Sequence, residues 1–123
     1  MIVGVGIDIA HIKRIARDIE SEAFQRKVFA PEELQTCAHL KKKAQCLAGK
    51  FAAKEAFMKA IGMGIRQEIW FTQIEVLNRE SGEPCIQVRG KAEQRLKELN
   101  ATRVHVSISH DYEVAVAIVI LER

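Results

Sequence analysis

The pattern of apolar residues predicts an α+β fold built around a split strand–helix–strand arrangement. Three observations carry the prediction. Apolar residues alternate with period two near both ends of the chain, a long helical run occupies the middle, and a Ser-Gly turn joins two short strand-like segments after it.

Residues 2–9, Ile-Val-Gly-Val-Gly-Ile-Asp-Ile, read as a strand with Val3, Val5, Ile7 and Ile9 on one face. The other face carries Ile2, Gly4, Gly6 and Asp8. Its two missing side chains leave room beside Asp8 for a ligand or for close packing of a neighbouring element. Residues 11–22 read as an amphipathic helix with the stripe Ile12, Ile15, Ala16 and Ile19. Lys13, Arg14 and Arg17 cluster opposite that stripe, and Arg26 and Lys27 follow. Pro31-Glu32-Glu33 opens a short helix, with proline in the first turn and acids at the positive dipole end. Lys41-Lys42-Lys43 is read as an exposed connection. The long helix then spans 44–61 with Leu47, Phe51 and Met58 inward. Lys54 falls within that inward stripe, so it needs a buried partner or the helix meets more than one surface. Gly62-Met63-Gly64 ends the helix.

Residues 69–77 read as a strand, 78–84 as a turn containing Ser81-Gly82, and 85–89 as the returning strand. Residues 91–100 form a helix with Ala92, Leu96 and Leu99 inward. Residues 104–109 alternate, with His105, Ser107 and Ser109 sharing a face, and 110–113 turn the chain. Residues 114–121 are apolar on both faces, as in a strand covered on both sides. The whole reads as one domain, residues 1–123, with a ferredoxin-like split β-α-β pattern and an extra C-terminal strand.

Composition narrows the function. The 123 residues are 48% hydrophobic and 28% charged, an ordinary globular balance. No secretory signal pattern opens the chain, and no apolar stretch approaches the ~18 residues of a membrane span. The expectation is a cytoplasmic protein without a membrane partner. Cys37, Cys46 and Cys85 are odd in number and lack metal-type spacing, so they are expected as reduced thiols. The net charge of +3 is too mild to call for nucleic acid.

The segment Phe51-Ala52-Ala53-Lys54-Glu55-Ala56-Phe57-Met58-Lys59-Ala60 carries the candidate chemistry. Glu55 and Lys59 are one above the other on a helix face cleared of bulk by Ala52 and Ala48. Such a pair is a helix-stabilising ion pair worth ~0.2–0.5 kcal/mol, or part of a site. With Asp8 from another element, Glu55 can hold Mg²⁺, a hard ion that takes carboxylate oxygens, waters and substrate phosphates. Lys59, one turn away, can neutralise a diphosphate. Gly62 and Gly64 allow close backbone approach, or simply end the helix. His110 is a candidate acid/base or phosphate donor, or an ordinary turn residue. His11, His105, His110 and Asp8 have no spacing specific for zinc. No Walker loop or dinucleotide fingerprint is present.

Three patches, Gly6-Ile7-Asp8-Ile9, Phe51-Ala52-Ala53-Lys54-Glu55-Ala56 with Lys59, and Val104-His105-Val106-Ser107-Ile108-Ser109-His110, together resemble the short bacterial-type 4′-phosphopantetheinyl transferases, the holo-(acyl-carrier-protein) synthase family. The Gly62-Met63-Gly64-Ile65 loop also fits. The resemblance spans essentially the whole chain. It implies the 4′-phosphopantetheinyl transferase fold and a homotrimer with active sites at subunit interfaces, where His105, Ser107 and Ser109 would lie. It implies Mg²⁺-dependent transfer of the 4′-phosphopantetheine arm of coenzyme A to a serine of apo acyl carrier protein, releasing adenosine 3′,5′-bisphosphate. Asp8 and Glu55 would hold the metal, Glu55, Lys59 and His110 would be catalytic, and Glu55 is one candidate to accept the serine proton. Lys50, Lys59, Gly62, Gly64 and His110 would bind coenzyme A. Lys13, Arg14, Arg17 and Arg26 would dock the acidic carrier protein. Two positions depart from the family pattern: Met63 replaces a frequent threonine, and Lys50 stands where arginine is common, losing a bidentate fork.

Two other readings compete. A nucleic-acid-binding module on a ferredoxin-like sheet needs stacking aromatics on a central strand, and Cys85-Ile86-Gln87-Val88-Arg89 has none. A non-catalytic regulatory trimer would leave Asp8 and Glu55 unrelated in space.

Overall fold

Strand β1 (Ile2–His11) opens the chain and runs straight into helix α1 (Ile12–Asp18). Helices α2 (Glu22–Val28), α3 (Pro31–Ala38) and α4 (Lys43–Ile61) follow. A 3₁₀ turn at Phe71–Gln73 leads into the hairpin β2 (Ile74–Asn78) and β3 (Pro84–Val88), then α5 (Gly90–Glu98), β4 (Arg103–His110) and β5 (Val114–Glu122). The computed structural model describes residues 1–62, 64 and 67–123, so the expectations placed on Met63 and Ile65 lie outside the described residues.

The α+β class holds, and among the described residues the strands divide into two sheets. β5 lies between β1 and β4 in one antiparallel sheet, and β2 pairs with β3 in a second. The hairpin packs beside β4 without joining it. A cavity bordered by Val76, Asn78 and Pro84 on one side and Ile108 and His110 on the other lies between them. The outer edge of β2 is taken by lysines: Lys50 Nζ donates to Val76 O at 2.6 Å and Lys54 Nζ to Ile74 O at 2.6 Å.

Helix α4 is the centre of the molecule. Its residues Leu47, Ala48, Ala52, Ala53, Ala56 and Phe57 are all fully buried. It lies on β1 and β5, against the inner face formed by Ala115, Ala117, Val119 and Leu121. Alanines on the helix and glycines on β1 let the two backbones nearly touch. A Cβ at Gly6 would sit 1.9 Å from Ala56 O, and one at Gly4 2.2 Å from Ala60 O. The glycines of β1 therefore serve close packing of a neighbouring element. Gly62, at φ 70°, ends the helix in the left-handed region where glycine is favoured.

Lys54 meets both conditions set by its position in the stripe: α4 touches several surfaces, and the lysine has a buried partner. Its side chain and that of Glu33 are both 0% exposed, with Lys54 Nζ 2.6 Å from Glu33 Oε1. Glu33 Oε1 also accepts from Ala30 N–H at 2.9 Å, and Oε2 from Val76 N–H at 2.9 Å.

Four expectations are corrected. The run 11–22 is not one helix: α1 stops at Asp18, and Ser21 caps α2 by accepting from Phe24 N–H at 3.2 Å. The strand read at 69–77 begins only at Ile74, because Phe71–Gln73 winds into a 3₁₀ turn whose Phe71 carbonyl accepts from Lys54 at 2.9 Å. Strand β5 is covered on one side only within a single chain. On the open side Val5 is 55%, Ile7 56%, Ile9 56% and Ile118 36% exposed. Finally, Cys37 and Cys46 are not reduced thiols: they form a disulfide, because the α3–α4 hairpin brings their Cα atoms to 5.8 Å. Cys85 is free.

The close approach of β1 to α4 makes a direct prediction. Gly6→Ala is expected to lower unfolding free energy by about 2–3 kcal/mol, because the new methyl meets a helix carbonyl that cannot rotate away. Urea denaturation checks this; an unchanged midpoint contradicts the packing described.

Candidate active site

Asp8 shares the inner face of β1 with Gly4 and Gly6 and lies opposite Ala117 of β5. That small neighbour and the two glycines bring the last turns of α4 down beside it. Lys59 Nζ, in the final turn of α4, donates to Asp8 Oδ1 at 3.3 Å and to Ile7 O at 3.1 Å. Asp8 Oδ2 is buried and has no hydrogen-bond partner among the described residues. A buried carboxylate oxygen without a donor is costly unless something else meets it.

Glu55 stands one helical turn before Lys59. Burial and the neighbouring Asp8 carboxylate push its carboxyl up to about 7, against the opposing pull of Lys59 and Arg14. Two neighbouring carboxyls, one with a buried oxygen unpaired among the described residues, fit a divalent cation. Among the described residues no group of three or more His, Cys, Asp or Glu side chains is placed to hold a metal. The two-carboxylate donor set suits Mg²⁺, whose remaining ligands come from water and phosphate, and not zinc.

Glu55 lines a cavity of about 290 Å³ with Ile9, His11, Arg14, Phe24 and Phe51. Arg14, expected only as a docking residue, therefore also borders the Glu55 site. Lys13, Arg14, Arg17 and Arg26 are all exposed on α1 and α2. Arg14 Nε lies 3.8 Å from Asp18 and Arg26 3.5 Å from Glu22, both loose surface pairs of small worth.

Lys50 and His110 are elsewhere. Lys50 is 4% exposed, and its Nζ donates to Val76 O and, at 3.2 Å, to Asn78 Oδ1. Burial lowers its pKa, with Glu33 partly compensating. With His110, Gly49 and Pro84 it borders the cavity of about 230 Å³ between the hairpin and β4. His110 also borders an adjoining cavity of about 430 Å³ with Leu40, Lys41, Lys42 and Gln45. Within one chain, then, Asp8, Glu55 and Lys59 form one cluster, and Lys50 and His110 line other cavities. Among the described residues nothing lies within 4 Å of a Cβ built on Gly62 or on Gly64, and Gly64 N–H is bound to Gln67 Oε1 at 2.8 Å. His105 pairs with Glu122 at 2.9 Å on the open face of the sheet.

The sequence reading missed Asn78 and the basic rim of Lys41 and Lys42. The only signal for Asn78 was its place at the edge of a turn, where it donates to Gly82 O at 3.0 Å. The lysine run was visible but read as mere connection.

The model of the 4′-phosphopantetheinyl transferase superfamily matches residues 4–117. The chain belongs to this superfamily. The holo-[acyl-carrier-protein] synthase of Trichlorobacter lovleyi is 46% identical over 124 residues, covering 99% of this chain and 98% of that one. Among solved structures, the holo-[acyl-carrier-protein] synthase of Neisseria meningitidis superposes with a TM-score of 0.89 at 36% identity, over 100% of both chains. That of Bacillus anthracis, solved in complex with CoA (3′,5′-ADP), gives 0.82 at 38% identity, over 98% of this chain and 96% of the other. The match to the superfamily model takes in Asp8, Glu55, Lys59 and His110 and ends within β5.

Glu55 also sets a pH dependence. Its folded-state pKa is raised above the unfolded value, so the fold favours the protonated form, and ionisation of Glu55 opposes folding as pH rises from about 4.5 through about 7. In metal-free buffer, Glu55→Gln is expected to gain stability relative to the parent chain between pH 5 and 8, by about 1–2 kcal/mol after allowing for solvent screening of this half-exposed group. Urea midpoints measured in chelator check this; parallel pH profiles contradict the assignment.

Proposed function

We propose that this chain transfers the 4′-phosphopantetheine arm of coenzyme A to a serine of an apo acyl carrier protein, giving the holo carrier and adenosine 3′,5′-bisphosphate. The observation that carries the reading is the convergence of Asp8, Glu55 and Lys59 beside one edge of α4, with a buried carboxylate oxygen that has no donor among the described residues. Family membership and the relatives solved with coenzyme A support it.

Asp8 and Glu55 would hold Mg²⁺, which supplies charge neutralisation to the diphosphate when bound. Lys59 adds a second positive charge there; Asp8 and Ile7 O take two of its three ammonium hydrogens, and one remains for phosphate. The serine oxygen attacks the pantetheine-bearing phosphorus. The bond from that phosphorus to the bridging oxygen breaks, and its electrons leave with adenosine 3′,5′-bisphosphate. Glu55 would be the base that takes the serine proton, directly or through a water. Displacement at phosphorus needs positioning and charge balance more than covalent help. His110, with Lys41 and Lys42 at the rim, would supply the basic surface for the nucleotide end, and the buried Lys50 would form the floor of that cavity.

The two clusters face different cavities within one chain, and the open face of the β1–β5–β4 sheet is apolar. Both features support a homotrimer in which the carboxylate cluster of one subunit meets the Lys50–His110 cavity of the next. Covering Val5, Ile7, Ile9 and Ile118 gives each contact a hydrophobic drive of about 25 cal/mol per Å².

Incubation with coenzyme A, Mg²⁺ and apo carrier, followed by mass spectrometry of the carrier, tests the reading; it predicts one added arm per carrier, and an unmodified carrier contradicts it. Glu55→Gln is expected to lower kcat/KM by about 100-fold or more with the fold intact. Arg14→Glu is expected to raise KM for the carrier about tenfold at low salt, fading as salt screens the contact. An unchanged KM removes α1 from docking. Native mass spectrometry should show three chains per particle; a monomer at micromolar concentration refutes the shared site.

A further inference from the structure

Lys54 sits beside Glu55 in the segment that marks the family, and a lysine next to a metal-binding carboxylate invites assignment to the substrate phosphates. The geometry points instead to a positioning role: we propose that the buried Lys54–Glu33 pair sets the rotation of α4 about its axis, and so holds Glu55 in line with Asp8. The inference rests on the transfer reaction proposed above.

An ammonium has three donors. Those of Lys54 go to Glu33 Oε1 at 2.6 Å, Ile74 O at 2.6 Å and Phe71 O at 2.9 Å. None remains for a phosphate, and the side chain is 0% exposed. The acceptors come from three separate places: the first turn of α3, the 3₁₀ turn and β2. Glu33 in turn accepts from Ala30 N–H and Val76 N–H, so the anchor is itself tied at both ends. Successive residues on a helix point about 100° apart. Fixing Lys54 on one side therefore fixes where its neighbour Glu55 points on another. A carboxylate about 6 Å from the axis moves about 2 Å when the helix turns by about 20°. A misplacement of that size is enough to cost two orders of magnitude in rate. On the far side, Gly4 and Gly6 let α4 lie close against β1, which sets the distance between helix and strand.

The test compares the parent chain with Lys54→Met and with the double variant Glu33→Gln/Lys54→Met. The double variant leaves no buried charge without its partner and keeps similar volume, so it remains testable if the single variant does not fold. For the folded double variant the expected result is a kcat at least tenfold lower, KM for coenzyme A within about twofold, and Mn²⁺ affinity, read by electron paramagnetic resonance without substrate, at least fivefold weaker. A tenfold rise in KM for coenzyme A at unchanged kcat would make Lys54 a substrate contact and overturn the proposal. Parental kcat and Mn²⁺ affinity with only a lower melting temperature would overturn it too, leaving a purely structural pair. If the parent chain itself transfers no arm, the functional reading fails alone, and the Mn²⁺ comparison still decides on the pair.

Discussion

The near-contact of the α4 backbone with β1 is the constraint on which the site depends. It exists because Gly4 and Gly6 present no Cβ where Ala60 O and Ala56 O come down. The helix reciprocates with alanines at 48, 52, 53, 56 and 60, all buried. Two smooth surfaces pack at short range with many weak dispersion contacts and no large side chain between them. This is an uncommon way to build a core, because it gives up the apolar area that leucines would bury. What it gains is proximity: a carboxylate on the strand lies within reach of side chains on the last two turns of the helix.

The charges of α4 divide by depth. Lys50 and Lys54 point into the protein and satisfy backbone carbonyls along the edge of β2. Glu55 and Lys59 lie at the margin beside Asp8. A buried pair such as Lys54–Glu33 contributes little net stability over an apolar replacement, yet losing one partner is severe. The role proposed for it is orientation. By contrast, the loose Arg14–Asp18 and Arg26–Glu22 pairs cost little to break, which agrees with the docking role proposed for these arginines.

Much of this was legible in the sequence because it is local. The bounds of α4 followed from periodicity and Gly62 to within one residue, and the two faces of β1 followed from strict alternation. The misfit of Lys54 in an apolar stripe pointed to a buried partner or to a second surface, and both are present, although nothing identified Glu33. Long-range relations were not legible. Alternation does not say which face of β1 is inside, and the glycine face, not the Ile7 face, meets the helix. Lys50 and Glu55 lie on one helix, but five residues correspond to about 140° of rotation, so they look into different cavities. The end of α1 at Asp18 was hidden by an apolar stripe that ran on to Ile19. The Cys37–Cys46 bond depended on a helical hairpin whose geometry no spacing rule supplied.

The central claim is that a strand carboxylate and a helix carboxylate share one cation. Anomalous scattering from crystals grown with Mn²⁺ tests it directly. The account predicts a peak at each site with oxygen ligands from both Asp8 and Glu55. A peak bound by only one of them, or Mn²⁺ found only at other carboxylates, would contradict it.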